Sequence, residues 1–537
     1  MLQPIQADEW KKYRIAGLIA FIIFILVQIV PQAADPSLST ASSKLITEGE
    51  AEMAASAFIQ ENLHEEAEKL ETIHQSESMV YGYLTKEKLL SDYSEQYDKQ
   101  FPTDVYQVES KLKDGGIGYI YVHMETGTVV AWHLLEPKGE GNPLTGSAAL
   151  KAAKELAVQQ GFRAEELKRS EVQNNGTIML YPAGYRIGEA ALEIKVRTAS
   201  SATGGDPLVT EYKPAFVAPS DYVSYVEEQK SIANLLSVWG YLVMTGVLFL
   251  FAVIYAILYR KHTSFQRGLL LTGFFLAFYI ANNFNMADGL RSTLGESTNP
   301  DLYMAIMMFV TVLTTVVFGA AVYFSLVAGD GLWRAAGQRL WPRFGEPGYG
   351  DHVWQSMKLS YLFAIILLGM QSIILIVLQL VTGAWSTSDA TQSPYNMALP
   401  WLMPLLAWCA AISEESIYRL FGIGLLRKWL RNPWIAALIP SVIWALGHVA
   451  YPIFPSTTRL IELVILGLVF SWLFLRYGFI TAVFTHAILD SILMAASLLF
   501  MGTAANVAAA IFYLVLPVPI AWVMKNWRSK KGTTQTA

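Results

Sequence analysis

The sequence predicts an α-helical polytopic membrane protein of about ten transmembrane helices with an inserted extracytoplasmic α+β domain. Three observations carry that reading. The 537-residue chain is 53% hydrophobic and only 15% charged, a balance typical of integral membrane proteins. Most of its long apolar runs lie beyond residue 231. Residues 35–230, in contrast, are polar and contain no run long enough to cross a bilayer.

At the N-terminus, Lys11, Lys12 and Arg14 precede an apolar run over 15–30. The pattern is that of a signal peptide, but only a weak small-residue site follows, at 31–35. Residues 1–34 therefore read as a cytoplasmic N-terminus and an uncleaved first transmembrane helix. Within 35–230, residues 48–70 read as an acidic amphipathic helix. Residues 119–123 and 129–135 read as strands of a hairpin around Glu125, Thr126 and Gly127. Ser147 is placed to cap a helix over 148–160 that Gly161 ends, and strands over 178–181 and 190–196 follow. A helix followed by a hairpin thus occurs twice, an arrangement that resembles two PepSY-like repeats of bacterial extracytoplasmic proteins. Such a domain could hold a ligand or partner, or recruit or gate a substrate.

Further spans are expected near 233–258, 268–286, 303–327, 359–382, 399–425, 433–451, 460–476, 479–499 and 503–524, each near the roughly 17–25 residues a bilayer requires. Residues 231–358 then hold additional helices and a cytoplasmic connector with Trp333 and Trp341. Residues 359–525 hold a membrane core, and 526–537 a basic cytoplasmic tail. The charges agree with this order. Arg260, Lys261, Arg267, Arg334, Arg339, Arg343, Lys358, Arg427, Lys428, Arg431, Arg476, Lys525, Arg528, Lys530 and Lys531 all fall on the side of Lys11 and Arg14. The opposite short loops carry only Arg291 and Arg459. Positive residues favour the cytoplasmic side, so both termini are expected there and 35–230 outside the cell membrane.

Composition also excludes. The net charge of −5 comes without a basic block, so no nucleic-acid partner is expected. The single cysteine, Cys409, cannot form an intramolecular disulfide and reads as a small buried residue. No P-loop, GxGxxG or CxxC pattern is present.

The chemistry concentrates in the sixth expected span, where Glu414, Glu415 and Arg419 interrupt an apolar run. Each such charge costs roughly 2.5–3.5 kcal/mol at a helix centre on insertion scales. Glu415 and Arg419 stand four residues apart in the acid-first order that pairs them on one helix face. Glu414 lies about 100° around the helix, which leaves it free to react. Of eight histidines, only His448 and His486 fall in expected spans. Trp444 and His448, and His486 and Asp490, are again four apart. At ~1.5 Å per residue, Glu414, His448 and Asp490 lie ~16–22 Å from the cytoplasmic ends of their spans, and His486 ~10 Å.

Read in order, Glu414-Glu415-x-x-x-Arg419, Trp444-x-x-x-His448 and His486-x-x-x-Asp490 resemble the CPBP family (CAAX protease and bacteriocin-processing, also called Abi). Its pattern is EExxxR, FxxxH and HxxxN/D, and its members are intramembrane endopeptidases related to the type II CAAX prenyl protease. Trp444 departs from the usual phenylalanine, and Asp490 takes the aspartate form of the last position. The resemblance covers roughly 361–500. It implies that Glu414 acts as general base on a water oriented by His448, and that His486 and Asp490 stabilise the oxyanion. Arg419 would hold Glu415. An ionised Asp490 cannot donate a hydrogen bond, which shifts that role to His486.

No cofactor is expected. Zinc held by Glu414, His448 and His486 is the rival reading within the same family, and no His-Glu-x-x-His helix supports it. The expected substrate is a membrane-embedded or membrane-associated peptide or protein, in a bacterium. Two other functions compete: a catalytically inactive immunity, scaffold or sensor protein, and an ion-coupled transporter. Arg459 with Glu462 reads as an interfacial pair, and Asn282, Asn283, Asn285 and Asp288 as the end of a helix.

Overall fold

The computed structural model describes residues 6–31, 45–63, 65–113, 115–137, 140–173, 175–201 and 207–526. Residues 32–35 of the weak cleavage site and 527–537 of the basic tail lie outside the described residues.

Six helices among these residues are long and apolar enough to cross a membrane. They are Ala7–Ile29, Ser220–Leu258, Pro300–Ala335, Tyr349–Thr382, Thr457–Tyr477 and Phe479–Met501. A seventh results if Ala504–Val515 and Pro517–Asn526, bent by 42°, cross together. The bend falls where Pro517 removes a backbone donor and crowds the preceding turn. The protein is therefore a multi-pass membrane protein, with six or seven candidate spans by length and apolarity, fewer than the ten expected.

The shortfall has local causes. Arg267–Asn285 is helical, but Arg267 and the three asparagines Asn282, Asn283 and Asn285 shorten its apolar stretch. The expected span over 399–425 is broken. It runs as a 3-10 turn Pro400–Leu402, a helix Leu405–Glu414, a π-helix Glu415–Ile423 and a helix Gly424–Leu430. Pro433–Leu446 has 14 residues, about 21 Å at ~1.5 Å each, against a hydrocarbon core of about 30 Å. That helix stops before Gly447, so His448 sits in the following turn and not within a span.

The polar block is a single sheet domain over 67–217. Its strands are β1 (Ala67–Ser76), β2 (Asp104–Leu112), β3 (Ile117–His123), β4 (Val129–Leu135), β5 (Glu140–Pro143), β6 (Arg169–Val172), β7 (Thr177–Tyr181), β8 (Arg186–Ile187), β9 (Ala190–Ser201) and β10 (Leu208–Val217). The order is β1-β2-β3-β4-β10-β9-β7-β6, with β5 and β8 pairing on β9. Helices Glu48–Leu63 and Gly146–Gln159 precede the two halves. The halves are joined by antiparallel pairing of β4 with β10, so each helix-led half contributes its strands to one continuous sheet.

Two element boundaries move. The helix expected over 48–70 ends at Leu63, because 67–76 is a strand that pairs antiparallel with β2. The second helix begins at Gly146 after Thr145, and Ser147 lies inside it.

The sheet domain is bound to the membrane helices through two short strands, β11 (Trp385–Ser386) and β12 (Ile453–Phe454). Phe454 is buried in the sheet domain's own core beside Tyr222 and Val226. At the opposite end of the helices, the basic residues gather. Arg267, Arg334 and Arg343 all reach the buried Asp330, at 3.1, 2.9 and 3.3 Å, and Arg476 reaches Glu9 at 3.0 Å.

Candidate active site

The site is built where the broken helix over 405–430 meets the end of Pro433–Leu446 and the middle of Phe479–Met501. Glu414 closes an α-helical stretch, and Glu415 opens the π-helical one. A π register inserts extra backbone into a turn and recurs at functional positions. It is supported from the side by Pro300–Ala335. A Cβ at Gly329 would come within 2.7 Å of Leu420, so only glycine allows this approach. Beside it, Trp333 Nε1 donates to the Leu420 carbonyl at 2.8 Å.

Glu415 and Arg419 are fully buried, and Nη1 of Arg419 lies 3.2 Å from Oε1 of Glu415. The guanidinium also stacks on Trp444 at 4.3 Å and on Phe470 at 5.4 Å. Aromatic faces thus stabilise a cation whose N–H groups make no hydrogen bond among the described residues. Glu415 has a second partner, because His486 Nδ1 lies 2.9 Å from its Oε1. The carboxylate accepts, so Nδ1 carries a proton and Nε2 is the ring nitrogen turned toward Glu414.

Glu414 is partly open. Its Oε2 accepts a hydrogen bond from Trp444 Nε1 and stands 3.7 Å from His486 Nε2. Its Oε1 lies 4.0 Å from His448 Nε2. His448 Nδ1 lies 3.0 Å from the Trp444 carbonyl, which can only accept. That contact fixes the proton on Nδ1 and leaves Nε2 facing Glu414. A gap of 4.0 Å is too long for a hydrogen bond but suits a water bonded to both groups. Asp490 completes the cluster, with Oδ2 3.4 Å from His486 Nε2.

All six sequence-derived residues, Glu414, Glu415, Arg419, His448, His486 and Asp490, therefore stand in one connected cluster. Glu414 presents Oε1 to His448 at 4.0 Å and Oε2 to His486 at 3.7 Å, so each imidazole addresses a different carboxylate oxygen. Among the described residues, the acidic group whose oxygens lie within 4.8 Å of one another is Glu71, Glu109 and Asp301. Arg291 already occupies it, at 2.5, 3.0 and 3.1 Å from the three carboxylates.

Several contributors escaped the sequence reading. Trp444 was visible only as an aromatic four residues before His448, yet its indole N–H is a hydrogen-bond donor to Glu414. Phe470 packs on His486 at 4.9 Å, and Tyr451 on His448 at 5.4 Å. The Arg459–Glu462 pair has a third member. Glu462 is fully buried, bonded to Arg459 and to Gln371, each at 2.7 Å. Asn285 does mark a helix end, and its side chain accepts from Leu399 N at 2.7 Å. Cys409 is buried, as a small core residue should be.

Comparison with curated proteins and with solved structures gives no match. Residues 396–492, which contain every residue of the cluster, match the family model described as type II CAAX prenyl endopeptidase Rce1-like. This segment of the chain is a domain of that CAAX protease family.

Proposed function

We propose that this protein is an intramembrane endopeptidase that hydrolyses a peptide bond of a membrane-associated peptide or protein, using a water activated by Glu414 and no metal. The observation that carries the reading is the meeting of three sequence-distant groups, Glu414, His448 and His486, around one partly open carboxylate. Glu414 Oε1 takes a proton from the water while His448 Nε2 accepts the other water hydrogen and aims its lone pair. The water oxygen attacks the scissile carbonyl carbon. The resulting oxyanion is stabilised by His486 Nε2–H, a role that requires His486 to hold both ring protons among Glu415, Glu414 and Asp490. As the C–N bond breaks, the proton on Glu414 passes to the leaving amine.

Supporting residues divide the remaining work. Trp444 holds Oε2 of Glu414, which leaves Oε1 for the water. Glu415 and Arg419 hold His486. Asp490 borders the oxyanion position but does not donate. The basic end of the helices faces the cytoplasm by the positive-inside rule, with both termini there and the sheet domain outside.

Substrate-trapping proteomics comparing wild type with Glu414→Ala identifies the cleaved protein. With that substrate, Glu414→Gln, His448→Ala and His486→Ala in purified protein should each lower cleavage roughly 10²–10⁴-fold without unfolding it. If a protein with all three positions replaced cleaves the same bond at the wild-type rate, the assignment fails. Activity should also survive a metal chelator; loss on chelation and recovery with zinc would overturn the metal-free version.

A further inference from the structure

Away from the candidate active site, a cavity of about 850 Å³ opens between the sheet domain and the membrane helices. Its floor is the end of Tyr349–Thr382, at Thr382 and Gly383, and one wall is the start of Ser220–Leu258. Tyr349–Thr382 is a candidate span whose apolar run reaches its last residues, so the cavity floor stands where that helix leaves the bilayer. Just below it, Leu380 is 80% exposed and Val381 77% exposed. On a spanning helix, apolar side chains this open face acyl chains.

The chemistry of the walls is mixed. Trp385 stands 6.1 Å from the Tyr222 ring and 5.9 Å from the Tyr225 ring, as an aromatic belt residue would at an interface. The Lys86 ammonium sits 5.7 Å from the Trp385 ring, is bonded to Glu87 at 2.7 Å, and keeps part of its surface open. Glu189 and Asp221 line the other side, and neither has a cationic partner within 4.0 Å among the described residues. One ammonium thus faces three carboxylates, Glu87, Glu189 and Asp221, a balance that disfavours an anion and suits a ligand with a cationic end.

We propose that this cavity binds a phospholipid whose headgroup ends in a primary ammonium, drawn from the leaflet on the sheet-domain side. The ammonium donates to Glu189 and Asp221. The phosphate meets Lys86, and the acyl chains run down along Val381 and Leu380. Trp385 belongs to β11, whose partner β12 is the segment that leaves His448. The site is independent of the proposed proteolysis.

The test is native mass spectrometry of the full chain with phosphatidylethanolamine and phosphatidylglycerol of identical chains. Wild type should prefer the ethanolamine lipid roughly tenfold, the size of one charge-assisted contact. Glu189→Gln with Asp221→Asn should erase the preference, and Glu189→Lys with Asp221→Lys should reverse it. These residues are exposed, so the variants should fold. Equal binding of the two lipids by wild type, or an unchanged preference in the variants, overturns the proposal. Free phosphoethanolamine should fail to displace the lipid; displacement at equal concentration would mean that the acyl chains contribute nothing and would refute a lipid ligand.

Discussion

The side chain that sets the geometry of the cluster is Trp444. Its ring stacks on Arg419 and its N–H engages Glu414, so it links the charge-balancing pair to the proposed base. Trp444→Phe keeps the ring and deletes the donor. Losing a hydrogen bond to a charged group costs about 1.5–3 kcal/mol, so we expect kcat to fall roughly ten- to hundredfold with KM little changed. A fall confined to KM would contradict the positioning role. Arg419 tests the charge balance instead. Arg419→Met leaves Glu415 buried without its cation, which should destabilise the protein by about 3–5 kcal/mol, read as a lowered unfolding midpoint in detergent. Adding Glu415→Gln should recover part of that loss; no recovery would mean that the pair does not act as a unit. The sequence already separated these two glutamates by helical angle, and that separation persists: one is sealed against Arg419, the other is open. It could not show that His486 joins Glu415, since seventy-one positions separate them.

At the scale of elements, the π-helix Glu415–Ile423 and the helix Pro300–Ala335 form one unit. Gly329→Ala places a Cβ 2.7 Å from Leu420, so one of the two elements must shift. Overpacking of this kind costs about 1–3 kcal/mol. Because the shift falls within the segment that carries Glu415, cleavage should drop more than thermal stability does; a proportionate loss of both would point to packing alone. No residue pattern announces a π register, because its hydrogen bonds are backbone bonds chosen by the packing around them. The helix lengths were partly legible for a related reason. Apolar runs show where a chain can be buried, but Gly447 and the break after residue 430 decide where each helix stops.

Across the whole molecule, the sheet domain is held to the membrane helices by polar contacts as well as by Phe454. Arg291 was an exception to the positive-inside pattern, and the structure supplies its reason: it grips Glu71 and Glu109 of the sheet domain and Asp301 of the next helix. Nearby, Glu296 receives Tyr121 OH at 2.5 Å and His133 Nδ1 at 2.6 Å. Burial pushes its carboxyl up, but the His133 and Tyr121 hydrogen bonds, with the charges of His133 and Lys213, outweigh burial and hold it at about 2. A carboxyl held below its ordinary value of 4.5 adds stability above that pH and loses it as pH falls toward 2. Hydrogen exchange in 292–299 should therefore rise between those values in wild type. Glu296→Gln should remove that pH dependence; an unchanged profile would rule out Glu296 as its source.

By itself, the sequence determined the membrane class and the polar insert, which rest on local composition, and it named six candidate site residues through three short motifs that resemble a family's. Only the tertiary structure decided which histidine nitrogen faces Glu414, that Trp444 donates to it, that the insert is one sheet, and that Arg291 and Phe454 bind that sheet to the helices. Those outcomes depend on contacts between elements far apart in the chain, and a linear pattern carries no information on how such elements approach one another.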